Sequence, residues 1–81
     1  MSPAEISQRI ETALPGAEVR VATDDGVHFS ALVVAPQFEG LRAIARHQLV
    51  YRALGEAMGG AIHALSLDTP TPAEWAQRAR G

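Results

Sequence analysis

Apolar residues recur every four positions near the start of the chain, at Ile6, Ile10 and Leu14. This spacing places them on one face of an α-helix. The residues from Ser2 to Glu5 have the order of a capping box with proline at the first helical position, and Pro15-Gly16 ends the pattern. The pattern predicts a helix over about residues 3 to 14.

Two runs rich in β-branched residues flank Asp24-Asp25-Gly26, which is typical of a β-hairpin. A two-residue loop would place Phe29 on the polar face of the hairpin. A three-residue loop places it on the apolar face, because side chains alternate between the two faces of a strand. We therefore predict the three-residue loop. The predicted pairs are Val19 with Ala31 and Val21 with Phe29.

The rest of the chain follows two further periodicities. Pro36 ends the second strand, and apolar residues spaced by three and four predict helix from Phe38 to Met58. A break near Arg46-His47 would divide this region into two helices. Ile62 to Asp68 is predicted to be a third strand. Thr71 to Glu74 is a second capping box, which opens a final helix.

These elements predict a single α+β domain over residues 1–81, in the order α-β-β-α-α-β-α. The sheet is expected to be small, mixed and three-stranded, with the helices on one side. Trp75 is expected to anchor the final helix on this sheet as a core residue. The apolar fraction of 47% and the charged fraction of 20% are those of an ordinary globular protein.

Two histidines are predicted to converge at one end of the sheet. A helical crossover makes the second and third strands parallel neighbours, whose starts lie at the same end. His28 is the second residue of one predicted strand, facing away from Phe29, and His63 is the second residue of the other. Two interpretations stay open from the residues alone. One is a metal-binding pair; the other is a partly buried, hydrogen-bonded His63 near a solvated His28.

The amino-acid composition restricts the kinds of site and function that this chain can have. The chain has no cysteine, so a soft metal site needs histidine or sulfur from a partner. The net charge of −2 disfavours strong non-specific binding of nucleic acid, and no apolar run has the length of a membrane span. We expect a cytoplasmic protein, because the N-terminal residues lack the apolar centre of a secretion signal. We find no nucleophile with a base and an orienting group, which argues against an enzyme.

One local basic cluster stands out in the predicted helical region. It consists of Arg42, Arg46, His47 and Arg52. Such a cluster is a candidate surface for phosphate or for an acidic or glutathione-bearing partner. The competing interpretation is a solvated helix face.

Three segments of the chain resemble the BolA family, and more closely its IbaG-like bacterial branch. They are DDGVHFSALVVAPQFEGL, ARHQLVYRALGEAM and IHALSLDTPTPAEW, which occur in the family's order and cover nearly the whole chain. The resemblance implies a fold similar to a class II KH domain. It also implies a role in iron–sulfur and iron homeostasis, through heterodimers with monothiol glutaredoxins around a bridging [2Fe-2S] cluster.

The same resemblance implies the ligands of that cluster. One iron takes the glutaredoxin cysteine and the sulfur of glutathione, and the other takes histidine from the BolA-like protein. The matching positions in this chain are His63, as the main ligand, and His28, as the second. Imidazole in place of thiolate raises the potential of such a cluster and makes the site sensitive to protonation.

A different class of function proposed for the family is a transcriptional regulator that binds nucleic acid through its KH-like surface. Two features weaken this hypothesis for the present chain. The GxxG loop by which KH domains clamp nucleic acid is absent, and Gln48 stands where the family motif RHRxVY often has arginine. A third hypothesis is a homodimer that binds zinc or haem with the same two histidines. Self-association of the chain alone is left open.

Overall fold

The computed structural model describes residues 1–60, 62 and 64–80. The helices are α1 (Pro3–Ala13), α2 (Ala43–Leu54) and α3 (Pro72–Arg80), and the strands are β1 (Glu18–Thr23), β2 (His28–Val34) and β3 (Ala64–Asp68). Two short 3₁₀ helices, Pro36–Phe38 and Gly55–Ala57, flank α2. Within the described ranges, none of the helices is long and apolar enough to cross a bilayer.

The three strands form one mixed sheet with β2 in the centre. β1 and β2 are antiparallel, and β2 and β3 are parallel. The parallel pair follows from the connection through α2, because a strand–helix–strand crossover brings the chain back to the end of the sheet where β2 began. The α+β class and the mixed three-stranded sheet predicted from the sequence are confirmed.

The hydrophobic core lies between α1, α2 and one face of the sheet. Alternate residues of β2 face the core, while the residues between them are more exposed until the strand nears its end. Each fully buried Leu, Ile or Phe side chain stabilises the fold by about 1.5–3 kcal/mol. The burial of Phe29, Ala31 and Val33 in this core fixes the position of β2, of which His28 is the first residue. The core residues are Ile6, Ile10, Leu14, Phe29, Ala31, Val33, Ala35, Phe38, Val50, Leu54, Ala57 and Ile62.

The loop between β1 and β2 has four residues, 24–27, and the last pair of the hairpin, Thr23 with Phe29, encloses five residues rather than the predicted three. Val21 pairs with Ala31 and not with Phe29, whose partner is Thr23. The predicted register was therefore wrong by two residues. Each side chain keeps its predicted face, because a slip of two preserves the alternation of the strand. The longer loop is closed by side-chain hydrogen bonds, which the sequence pattern does not reveal.

The region between β2 and β3 contains one α-helix rather than two. α2 runs without interruption through Arg46-His47, so the break considered there is wrong. The chain turns instead at Gly40, whose φ of +77° lies in the left-handed region that glycine adopts without strain. The third strand begins at Ala64 among the described residues, and Ile62 forms an isolated parallel bridge with Met58.

α3 begins at the second capping box, as the sequence predicts. The backbone N–H of Thr71 donates to Glu74 Oε1 over 2.8 Å, and the N–H of Glu74 donates to Thr71 Oγ1 over 3.1 Å. Trp75 is only half-buried and does not belong to the core, so the prediction that it is a core residue is wrong.

The position of α3 explains the exposure of Trp75. Trp75 lines a groove with Glu18 and Val34, which pair across the strands and alternate with the core-facing residues. Arg78 makes a bidentate ion pair with Asp68 at 2.8 and 3.1 Å. α3 therefore contacts side chains on the face of the sheet opposite the core, at one end of the sheet. α1 and α2 cover the core face. The expectation that all helices lie on one side needs this correction.

Candidate functional site

The candidate site lies where β2 and β3 begin. His28 is the first residue of β2 and pairs in register with Ala64, the first residue of β3. The N–H of Ala64 also donates to the carbonyl of Val27 over 3.3 Å, which joins the hairpin loop to the start of β3. The parallel arrangement predicted for this end of the sheet is confirmed. His63, the other predicted ligand, lies outside the described residues.

The hairpin loop is organised by the side chains of Thr23 and Asp25. Asp25 Oδ1 accepts hydrogen bonds from the backbone N–H groups of Val27 and His28, at 2.9 and 2.8 Å. Thr23 Oγ1 accepts from the N–H of Gly26 at 2.9 Å and donates to the carbonyl of His28 at 2.7 Å. These bonds close the four-residue loop. They satisfy backbone N–H and carbonyl groups that would otherwise need partners in the strand ladder.

The second oxygen of Asp25 binds the ring of His28. Asp25 Oδ2 lies 2.6 Å from His28 Nδ1, a short N–H···O hydrogen bond, and bonds to ionised acceptors are shorter than those between neutral groups. The N–H groups of His28 and Val27 hold the pKa of the Asp25 carboxyl well below its usual range, and the His28 ring acts in the same direction. Asp25 is therefore a carboxylate at neutral pH, and a carboxylate can only accept. The ring must donate from Nδ1.

The donor set at this end of the sheet fits a metal centre that is completed by other ligands. The described ranges contain no group of three His, Cys, Asp or Glu side chains that could hold a metal ion by itself. His28 is more than half exposed, with 58% of its side chain accessible. An exposed imidazole is a suitable ligand for iron or zinc. The described residues thus supply one imidazole donor at the surface rather than a complete site.

Arg46 has a structural environment. Its side chain is only 15% exposed and forms a 2.6 Å ion pair with Glu74. It also donates to the carbonyls of Leu41 and Thr69, at 2.8 and 2.9 Å. The hydrogen bond from Arg46, followed by that from the Thr71 N–H, lowers the pKa of Glu74 to about 2. Arg46 therefore ties the start of α2 to the start of α3.

The other residues of the basic cluster divide between two grooves. Arg42 and His47 line the groove that also contains Arg46 and Arg78. Arg52 lines a separate groove between α1 and α2. The structure thus brings Arg42, Arg46 and His47 together but places Arg52 elsewhere. The three arginines of the cluster therefore do not line one common groove in the described structure.

Asp25 is the site residue that the sequence pattern did not reveal. Its position before glycine indicated only a turn residue. The spacing Asp-x-x-His across that turn is the available signal, because an aspartate in a turn can bond to backbone groups two and three residues later. The contact with the imidazole depends on the actual loop length.

Comparison with known proteins places this geometry in a family. The chain matches the family model described as BolA-like protein over residues 5–74, and it belongs to the BolA family. It is 48% identical to a BolA protein homologue from Coxiella burnetii of known structure, with a TM-score of 0.83. That match covers 94% of this chain and 97% of the other. The resemblance found in the sequence is confirmed.

Three curated relatives carry different names. The chain is 35% identical to human BolA-like protein 1, over 95% of this chain and 63% of the relative. It is 39% identical to the acid stress protein IbaG of Escherichia coli, over 90% of this chain and 87% of that protein. It is 46% identical to the DNA-binding transcriptional regulator BolA of Vibrio cholerae, over 62% of this chain and 47% of that protein. The chain spans about three-fifths of the length of the first mammalian relatives.

Proposed function

We propose that this protein acts in iron–sulfur cluster or iron homeostasis by joining a monothiol glutaredoxin around a shared [2Fe-2S] cluster. His63 and His28 would bind one iron, and the glutaredoxin cysteine and glutathione would bind the other. The observation that carries the proposal is the placement of His28 at the start of β2, in register with the start of β3. His63 immediately precedes that start in the sequence.

The chemistry of the chain supports this assignment. Fe–S clusters are usually held by cysteine thiolates, and this chain has no cysteine. The chain can therefore hold only part of such a cluster, through nitrogen ligands, and needs sulfur from a partner. When bound, a cluster with histidine ligands supplies a higher potential than one with thiolates alone. Membership of the BolA family supports the same proposal.

The proposal is tested by reconstituting the heterodimer. The chain, a monothiol glutaredoxin and glutathione are combined with iron and sulfide under anaerobic conditions, and visible absorption and circular dichroism are recorded. We expect His63→Ala to abolish or strongly alter the heterodimer spectrum and His28→Ala to alter it, because each removes a ligand. An unchanged spectrum for His63→Ala would show that the ligand assignment is wrong.

The matched control is His47→Ala. His47 is also a histidine, but it lies on α2 and lines the groove next to Arg42, away from the start of β2. We expect the bound cluster of this variant to have the spectrum of the unsubstituted heterodimer, because His47 is not a proposed ligand; a contact between the basic cluster and the partner would change the affinity of the heterodimer and not this spectrum. Far-ultraviolet circular dichroism of each variant alone checks that the fold is retained.

A second candidate function is nucleic-acid binding in transcriptional regulation. It is favoured by the relative from Vibrio cholerae, which is named a DNA-binding transcriptional regulator. The groove with Arg42, His47 and Arg78 offers the basic side chains for such a contact. The net charge of −2 opposes it, because phosphate contacts need a basic surface.

A salt series of gel shifts tests this second function. Arg42→Gln is the informative variant, because Arg42 is exposed and lines the groove. Arg46 is a poor choice, since its substitution would also break the link between α2 and α3. Binding that weakens with salt and with Arg42→Gln would support a nucleic-acid interface. Absence of binding at low salt would remove this function.

A further inference from the structure

One carboxylate reaches both the backbone and the ring of the candidate ligand His28. Asp25 Oδ1 holds the N–H groups of Val27 and His28, and Oδ2 holds the ring at Nδ1. From this geometry we infer that Asp25 is a positioning residue, which keeps His28 in the Nδ1–H tautomer and makes Nε2 its iron-binding nitrogen. The inference rests on the proposed function for the identity of the metal and on the loop geometry for the tautomer.

The tautomer follows from the chemistry of the pair. A neutral imidazole has one N–H group and one nitrogen with a lone pair. A carboxylate has no hydrogen to donate, so the ring nitrogen that contacts Asp25 must carry the hydrogen. The lone pair that binds a metal then belongs to Nε2. Histidines that bind metals are commonly held in this way, with the other ring nitrogen donating to a carboxylate.

The orientation of the ring follows from the second oxygen of the same carboxylate. Because Oδ1 is bound to two consecutive N–H groups, the carboxylate has a fixed place relative to the first residue of β2. The ring of His28 is thus held against its own backbone through Asp25. This arrangement orders a side chain that lies on the surface and would otherwise sample several rotamers. An ordered ligand loses less conformational entropy when it binds.

The loop contains a matched residue that lacks these contacts. Asp24 is adjacent to Asp25, is exposed and carries the same charge, but its side chain makes no hydrogen bond within the described residues. A general electrostatic effect of the loop would involve both aspartates. Positioning of the imidazole would involve Asp25 alone.

Asp25→Asn separates positioning from loop structure. The amide oxygen of asparagine can accept the two backbone N–H groups, so the loop closure can be retained. The amide nitrogen then occupies the place of Oδ2, and it can only donate. We expect the ring to change tautomer, with the hydrogen on Nε2 and the lone pair on Nδ1. The variant thus exchanges the positions of the hydrogen and the lone pair on the His28 ring, while the side chain at position 25 keeps nearly the same shape.

The tautomer is measured on the protein alone, without iron. Long-range ¹H–¹⁵N correlation spectra of ¹⁵N-histidine protein at about pH 8, above the usual histidine range, distinguish the two tautomers. The His28 signals are assigned by their loss in His28→Ala. We expect Nδ1–H in the unsubstituted protein and in Asp24→Asn, and a shift towards Nε2–H in Asp25→Asn. Asp25→Glu keeps the acceptor and is expected to retain Nδ1–H.

The effect on the metal is measured as the rate at which a chelator removes the cluster from the glutaredoxin heterodimer. Loss of such a hydrogen-bond partner typically costs about 10–100-fold in metal affinity. We expect release to accelerate by about that factor in Asp25→Asn and to stay unchanged in Asp24→Asn. Backbone amide shifts of Phe29 and Ala64 check that the strands remain paired.

The results separate the two proposals. If the unsubstituted protein forms no cluster with any monothiol glutaredoxin, the proposed function fails. The tautomer of His28, measured on the protein without iron, then decides the role of Asp25. Nε2–H in the unsubstituted protein overturns the positioning role, whatever the cluster does. An unchanged tautomer in Asp25→Asn, or cluster release at the same rate as in Asp24→Asn, overturns it as well.

Discussion

At the scale of single residues, the loop of this protein shows how one side chain can serve two purposes. Asp25 closes the turn through Oδ1 and contacts the imidazole through Oδ2. The first purpose is common to aspartates in turns. The second arises because β2 begins at His28, three residues after Asp25. The predicted loop of three residues begins the strand one residue earlier. That prediction gave no indication of the contact between Asp25 and His28.

Phe38, unlike Asp25, contributes to the structure through packing alone. It is fully buried at the end of the 3₁₀ helix between β2 and α2. We predict that Phe38→Ala lowers the free energy of unfolding by about 3–5 kcal/mol, because it removes a buried aromatic side chain and leaves a cavity. The free energy of unfolding of a typical domain is only about 5–15 kcal/mol, so this loss is a large part of it. Urea denaturation followed by circular dichroism measures the change.

Ile44→Ala is the control for Phe38→Ala. Ile44 is also a large apolar residue, but 71% of its surface is exposed on α2. We expect a change within about 0.5 kcal/mol, as for other exposed positions. A loss for Ile44→Ala as large as that for Phe38→Ala would mean that burial does not explain the effect.

At the scale of elements, one ion pair connects parts of the chain that the sheet alone would not hold together. Arg46 of α2 reaches Glu74 of α3 and the carbonyl of Thr69 after β3. Glu74 is at the same time the acid of the capping box that starts α3. α3 has no residue in the core, so this junction and the Arg78 pair are its main polar attachments in the described structure.

The Glu74 junction predicts a specific dependence of stability on pH. The pKa of Glu74 is lowered from 4.5 to about 2, chiefly by Arg46. A carboxyl group with a lowered pKa contributes stability that is fully present above its unfolded value and is lost as pH falls through the folded value. We therefore predict that the stability advantage of the unsubstituted protein over Glu74→Gln is constant above about pH 5 and shrinks between 4.5 and about 2.

Urea denaturation at a series of pH values measures this advantage. Glu39→Gln serves as the control, because Glu39 is an exposed carboxylate whose side chain makes no hydrogen bond within the described residues. An advantage over Glu74→Gln that grows as the pH falls below 4.5 would contradict the role given to Arg46.

At the scale of the whole molecule, the sequence predicted those features that depend on periodicity. The four-residue spacing of Ile6 and Ile10 predicted α1, and the alternation around Phe29 predicted which face of β2 is buried. The crossover rule then predicted that β2 and β3 start together. This is sufficient to place His28 at the correct end of the sheet without knowing the loop.

Features that depend on individual polar contacts were not predictable in the same way. The hairpin register was missed because the N–H groups of Gly26 and Val27 donate to the side chains of Thr23 and Asp25 instead of taking part in strand pairing. The role of Arg46 was missed because Glu74 lies far away in sequence, and only the folded chain brings the two together. Trp75 was misplaced because the apolar pattern of α3 does not reveal which side of the sheet the helix occupies.

The pairing of His28 with Ala64 also has a consequence for the order in which the protein assembles. Asp25 and His28 are close in sequence, so their contact can form as soon as the hairpin does. The neighbouring strand arrives only after all of α2 has been synthesised, and closing that long segment carries an additional entropic cost. During synthesis, the residues of the hairpin are therefore available before the strand that pairs with His28. The end of the sheet at which His28 lies is therefore complete only when β3 has joined it.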